Sequence, residues 1–301
     1  MTGWPLLLVV MALLLAACST SDEATNGEAS AAAADDGTPA VDGAAPQAPT
    51  VVVDQTTTEA SSPSTTVAAD PTTTSTQPPA PLPDVFVTLE PGTTLPDERR
   101  CADHVLTGPD QEVRPENAEA NATVVNVAVE VDGAGDWWNG INADRVTGNF
   151  TGTTDQVLRW ASCKWGFDEE ITRARAVAES SWRVSTAGDV TDDPDSCRLL
   201  EMQPPCAQSY GLLQVKGTVH EGTHPASVES AAFGVDYAMA WLRACYEGHF
   251  TWFESPSYDA GDEWGCVGAW FSGNWWDQPA NDYVGTVRFH LAEQTWTSYG
   301  P

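Results

Sequence analysis

The residues whose types and spacing could do chemistry fall in three clusters. The first is Ala176-Val177-Ala178-Glu179-Ser180-Ser181-Trp182, where one carboxylate closes an apolar helical run. A carboxyl in such surroundings loses hydration, and the dipole at a helix C-terminus opposes its charge, so both effects keep it protonated. A neutral Glu near pH 7 is what a general acid needs to protonate a leaving oxygen. The second cluster, Ser209-Tyr210-Gly211-Leu212-Leu213-Gln214-Val215, carries a phenol, a Gly and an amide. The third is His220-Glu221-Gly222-Thr223-His224, which fits the H-E-x-x-H pattern of zinc proteases. That chemistry needs a helix to project both imidazoles onto one metal. Gly222 weakens a helix there, and Pro225 biases His224 away from helical conformation. This third cluster is therefore expected to be a loop whose histidines line a groove, and neither a metal nor a cofactor is expected.

Helices must position the first cluster. Asp168-Glu169-Glu170 places acids in the first turn of a helix that runs to about residue 182, with Ile171, Ala174, Ala178 and Trp182 as its apolar stripe. Thr154-Asp155 can cap the preceding helix, over residues 156–165. Upstream, Val125, Val127, Val129 and Val131 alternate with Asn126, Ala128 and Glu130, which predicts a strand over residues 123–132. Between the first two clusters lies a long acidic loop, residues 184–205, with Asp189, Asp192, Asp193 and Asp195. It could supply a second carboxylate or a calcium site, although a solvated acidic loop is the simpler reading.

Pro5 to Ala17 is a nearly unbroken apolar run, too short to span a bilayer and suited to the core of a signal peptide. It ends in Leu15-Ala16-Ala17-Cys18, which resembles the lipobox of bacterial lipoproteins, although no Lys or Arg precedes the run. That resemblance implies an exported protein held to a membrane by lipid on Cys18 and facing the cell wall or periplasm. Residues 19–96 are dominated by Ala, Thr, Ser, Pro and Asp, a composition that predicts disorder. As a flexible coil they would reach about 50 Å. All 13 basic residues lie between Arg99 and Arg288, and the formal net charge is -30, which argues against nucleic acid as a partner. Six further cysteines in an exported chain predict disulfides. Proximity favours Cys197 with Cys206 and Cys245 with Cys266, leaving Cys101 for Cys163.

Glu179-Ser180-Ser181-Trp182 resembles the Glu-Ser-x-aromatic motif of the soluble lytic transglycosylases and goose-type lysozymes. Tyr210-Gly211-Leu212-Leu213-Gln214 resembles their Gly-Leu-Met-Gln motif, in the same order. Residues 233–245 look like the helix that follows in the family. Gly268-Ala269-Trp270-Phe271-Ser272-Gly273 stands where the family has Ala-Tyr-Asn-Ala-Gly, and Tyr283-Val284 resembles its last Tyr-Val element. The resemblance covers about residues 156–287. It implies a mainly α, lysozyme-like α+β fold over residues 151–301, and the strand pattern at 123–132 adds a β-containing extension over residues 97–150. It also implies cleavage of the MurNAc-GlcNAc bond of peptidoglycan by Glu179 alone, as acid and then base, giving 1,6-anhydro-muropeptides. Ser180, Tyr210, Gln214, Trp270 and Tyr283 would then bind substrate or support the motif. Trp270-Phe271 replaces Tyr-Asn, which leaves Tyr210 and Tyr283 as substitutes for the family's Tyr hydroxyl. Of 13 tryptophans, Trp252, Trp264, Trp275 and Trp276 are candidates to stack on sugars. A hydrolytic muramidase on the same site, a module that binds peptidoglycan without cutting it and, least favoured, a zinc protease on His220 and His224 remain alternatives.

Overall fold

Side-chain caps set where the site-bearing helices begin. Thr153 and Gln156 form a reciprocal capping box, and Asp168 accepts from the amides of Glu170 and Ile171. The first cap lies one residue before the expected Thr154-Asp155, because Gln156 must stand at the third helical position to reach back. The computed structural model describes residues 81–108, 111–253 and 255–299, all within the unit Thr74–Pro301. Cys18, the signal segment and residues 19–80 of the expected tether lie outside the described residues.

In order the helices are α1 (Glu98–Val105), α2 (Ala118–Ala122), α3 (Gly135–Asn142), α4 (Thr154–Trp165), α5 (Glu169–Ser180), α6 (Pro194–Leu199), α7 (Ala226–Glu229), α8 (Ala231–Tyr246), α9 (Glu263–Ser272) and α10 (Gln278–Glu293). Every residue of α8 is buried, as expected of a helix apolar on nearly all sides. Helix α4 packs against it, and α10 packs against both α5 and α9. The fold is mainly helical, with one small antiparallel sheet of β1 (Ala187–Gly188), β2 (Ser209–Tyr210) and β3 (Val215–Lys216). Among the described residues no helix is long and apolar enough to cross a membrane.

The core contains one fully buried ion pair. Lys164 Nζ of α4 lies 2.8 Å from Asp236 Oδ2 of α8, and both side chains are shut from solvent. Asp236 also accepts from Trp165 Nε1 at 2.6 Å and from the amides of Thr147 and Gly148. Such satisfaction is what makes a buried carboxylate tolerable. The disulfides are Cys101–Cys163, Cys197–Cys206 and Cys245–Cys266, the pairing that proximity favoured.

Two expectations need correction. The N-terminal β segment over residues 123–132 is not formed: its side chains alternate between core and solvent, but among the described residues no second strand lies beside it. Period-two patterning reports which face is buried and says nothing of a partner for the backbone. The sheet forms instead from residues 187–188, near the start of the acidic loop, and from the segment that follows the loop. The second correction concerns the end of the tether. Phe86 is buried, Leu89 N–H donates to the Gly166 carbonyl, and the carbonyls of Leu89 and Glu90 accept from Arg243. Residues 81–96 therefore include chain laid along the folded unit, anchored by the few apolar groups that the bulk composition of the segment conceals.

Candidate active site

Glu179 is the second-last residue of α5, which stops one residue later rather than running to residue 182. The helix ends because Ser181 and Trp182 both adopt left-handed backbone, at φ 51° and 62°. Two successive non-glycine residues in that region are costly and persist only where surroundings enforce them. Here Trp182 is buried, its indole N–H held by the Arg173 carbonyl, so the turn after Glu179 is fixed by packing.

Three helices meet around the carboxyl. Tyr283 of α10 donates its hydroxyl to Glu179 Oε1 at 2.5 Å. Phe271 of α9 lies flat on the Tyr283 ring, 4.7 Å between centroids and 4° between planes. Burial pushes the Glu179 carboxyl up to about 7, against the lowering effects of the Tyr283 hydrogen bond and the Arg175 charge, while the Asp189 charge raises it further. The carboxyl thus titrates near neutrality, where an acid/base group is most effective. Burial also pushes the Tyr283 hydroxyl well above its ordinary range, so it remains a donor.

The second cluster forms the facing wall. Ser180 Oγ donates to the Leu212 carbonyl at 3.0 Å, tying the residue after the acid to the Gly211–Gln214 turn. Gly211 has φ 80°, and a Cβ there would sit 3.0 Å from the Ser227 carbonyl oxygen. Gln214 Nε2 donates to the carbonyls of Thr186 and Gly211. Trp270 Nε1 of α9 closes the wall by donating to the Leu213 carbonyl at 3.0 Å.

The structure brings Glu179, Ser180, Gln214, Trp270 and Tyr283 together through this chain of contacts. Tyr210 stands apart: its hydroxyl donates to the Ala207 carbonyl at 2.6 Å, and its ring packs with the Cys197–Cys206 bridge. Of the two tyrosines offered in place of the family's hydroxyl, Tyr283 is therefore the one on the acid. Among the tryptophans, Trp252 and Trp270 line a cavity of about 510 Å³, with Lys216 and His220 on its wall. Trp264 is covered by the Arg288 guanidinium, Trp276 donates to Asp262, and Trp275 packs edge-on against Tyr258.

The H-E-x-x-H stretch forms turns, with Gly222 at φ 79°. Its two imidazoles part company: His220 stacks flat on Trp270 at 5.1 Å, whereas His224 packs on Tyr210. Burial holds His220 neutral, pushing it down to about 4. Among the described residues no group of three His, Cys, Asp or Glu side chains converges as metal ligands.

Two contributors escaped the sequence reading. Arg175 is fully buried one helical turn before Glu179, with Nη1 on Met239 Sδ and with Nε and Nη2 unpartnered. Its i−4 spacing from the acid was the available signal. Asp189 had been grouped with its acidic neighbours, but it follows β1 directly and its carboxylate is bound by residues of β2 and β3. Ser209 Oγ donates to it at 2.7 Å and Lys216 Nζ lies 3.1 Å away. Despite partial burial, which opposes this, those two partners hold its carboxyl below the usual carboxylate range. A comparison of the chain with family models, with curated proteins and with solved structures finds no match.

Proposed function

We propose that the protein cleaves the glycan strands of peptidoglycan at the MurNAc-GlcNAc β-1,4 bond, with Glu179 as general acid and then base. The observation that carries this reading is the Glu179 carboxyl, pushed to about 7 at a helix end and held by the Tyr283 hydroxyl, in the motif order of the lytic transglycosylases. In its neutral form Glu179 donates the proton that the leaving sugar oxygen takes up. The resulting carboxylate is stabilised by Tyr283 and by the buried Arg175 charge, so it then accepts the proton of the incoming oxygen. Where that oxygen is the muramic 6-hydroxyl, the product is a 1,6-anhydro-muropeptide. Trp270, Trp252 and Gln214 are the residues proposed to meet the sugars. Lipid attachment at Cys18 would hold the enzyme at a membrane facing the wall.

Hydrolysis on the same site is a second reading, favoured by Asp189. Two carboxyls whose environments push them apart, one up to about 7 and one down, are the arrangement that divides acid and base roles. In that case Asp189 activates a water, and the products carry a free reducing end.

Digestion of purified peptidoglycan tests both. The wild type is expected to release soluble muropeptides, and Glu179→Gln to lose at least about 100-fold of that activity. Anhydro products that survive in Asp189→Asn support transglycosylation. Products heavier by one water, lost in Asp189→Asn, support hydrolysis. Equal release by the wild type and Glu179→Gln overturns the assignment of the acid, and no release by the wild type overturns the enzyme reading.

A further inference from the structure

Residues 124–130 line, without a gap, one side of a groove of about 860 Å³ on the face formed with α3 and the turn after it. Their side chains alternate: Val125 and Val127 pack on the core and Val129 is buried, whereas Val124, Asn126, Ala128 and Glu130 are exposed. What all seven share along the groove is therefore the backbone edge, as in a pleated strand. Among the described residues none of their backbone amides or carbonyls has a hydrogen-bond partner. Both ends of the stretch are closed by side chains. The Thr123 carbonyl accepts from Ser230 Oγ at 2.7 Å. The Val131 N–H donates to Asn139 Oδ1 at 2.8 Å, and the Val131 carbonyl accepts from Asn139 Nδ2 at 3.1 Å.

The Asn139 amide thus pairs with Val131 as a neighbouring strand would, from the α3 side. Because strand residues alternate the edge to which their N–H and carbonyl point, Val125, Val127 and Val129 present theirs to that same side. Seven residues give an open edge of about 23 Å. An unpaired edge of this length is a template for another strand, and proteins otherwise cover or blunt it.

We propose that this groove binds an extended, basic peptide segment of another protein by strand addition along residues 124–130. Charge selects the occupant. The rim carries Glu130, Asp136 and Asp144, all exposed, and no Lys or Arg lines the groove. The chain's own residues 19–96 contain acids and not one Lys or Arg, so they are repelled. A second copy would bring its own Glu130 and a chain of net charge -30. A partner strand with Lys or Arg at alternate positions gains the backbone ladder and the rim charges together. The inference does not depend on Glu179 or on glycan cleavage.

The test uses the whole chain and three fluorophore-tagged probes, read by fluorescence anisotropy at fixed ionic strength. The probes are a Val-Lys-Val-Lys-Val-Lys-Val peptide, the same peptide with alternate backbone amides N-methylated, and a version with Glu in place of Lys. The first is expected to bind saturably. The N-methylated and Glu probes are each expected to bind at least about tenfold more weakly, a difference of about 1.4 kcal/mol. Asp144→Lys, at an exposed position that leaves the core intact, should weaken the first probe, and Val127→Pro should do so by removing a ladder donor. Equal binding by the N-methylated probe would reduce the contact to charge attraction and overturn the proposal. So would equal binding by the Glu probe, or no saturable binding of the first.

Discussion

Tyr283 and Arg175 act on Glu179 in the same direction, since both favour its charged form, and burial outweighs them. Removing either should therefore move the carboxyl further up. Tyr283→Phe deletes the hydroxyl and keeps the ring that stacks on Phe271, so the alkaline limb of the pH–activity profile should shift above 7 while the fold persists. An unshifted limb would mean that the 2.5 Å hydrogen bond contributes nothing to the titration. Glu263 is a second carboxyl with a raised titration, and it has no hydrogen bond to Glu179 or Tyr283. It is half-buried at the start of α9, with Oε2 bonded to Thr88 and Oε1 unpartnered, and burial pushes it also to about 7. The sign follows from linkage: its neutral form is favoured in the folded state, so its stabilising contribution is complete below about 4.5 and is lost as pH rises through about 7. Glu263→Gln should flatten the fall in stability between pH 5 and 8 relative to wild type, by about 1–3 kcal/mol in total across that window. An unchanged slope would place its titration in the ordinary carboxylate range.

At the scale of elements, the turn Gly211–Gln214 joins β2 to β3 and is tied to α5 by the Ser180–Leu212 bond. Gly211→Ala forces a Cβ into left-handed backbone and against the Ser227 carbonyl oxygen. It should cost about 1–2 kcal/mol in denaturant unfolding and reduce activity through the displaced Ser180–Leu212 bond. Much of this architecture was legible in the sequence. The acids at 168–170 marked the start of α5, and the apolar run before Glu179 marked the helix that carries it. The end of α5 was not legible, because nothing local demands that Ser181 and Trp182 turn left-handed; the pocket for the Trp182 ring decides it. The stretch 123–131 shows the complementary failure. Its alternation reported burial correctly, and the missing neighbour strand is a property of chain topology that no local pattern carries. Arg175 was passed over because an Arg in a helix is ordinarily a solvated residue, and only tertiary packing buries this one.

Across the whole folded unit, long-range ties join segments that the sequence divided. The Cys101–Cys163 bridge, 62 residues apart, fastens α1 to α4, and the Lys164–Asp236 pair fastens α4 to α8. On the loop-entropy account the longest bridge constrains the unfolded chain most. Replacing Cys101 and Cys163 by Ala should cost about 4 kcal/mol, against about 3 kcal/mol for the Cys197–Cys206 pair. The reverse ranking in equilibrium unfolding would show that local strain outweighs chain entropy. The scaffold so held brings the Glu179 carboxyl, pushed to about 7, to the meeting of α5, α9 and α10. The most direct test of its role is the pH–rate profile for glycan release from purified peptidoglycan, measured on wild type and Glu179→Gln together. General-acid catalysis by Glu179 predicts that wild-type activity falls as pH rises through about 7 and that Glu179→Gln is inactive at every pH. A profile with no alkaline limb near 7, or a Glu179→Gln variant that retains the wild-type rate, would contradict it.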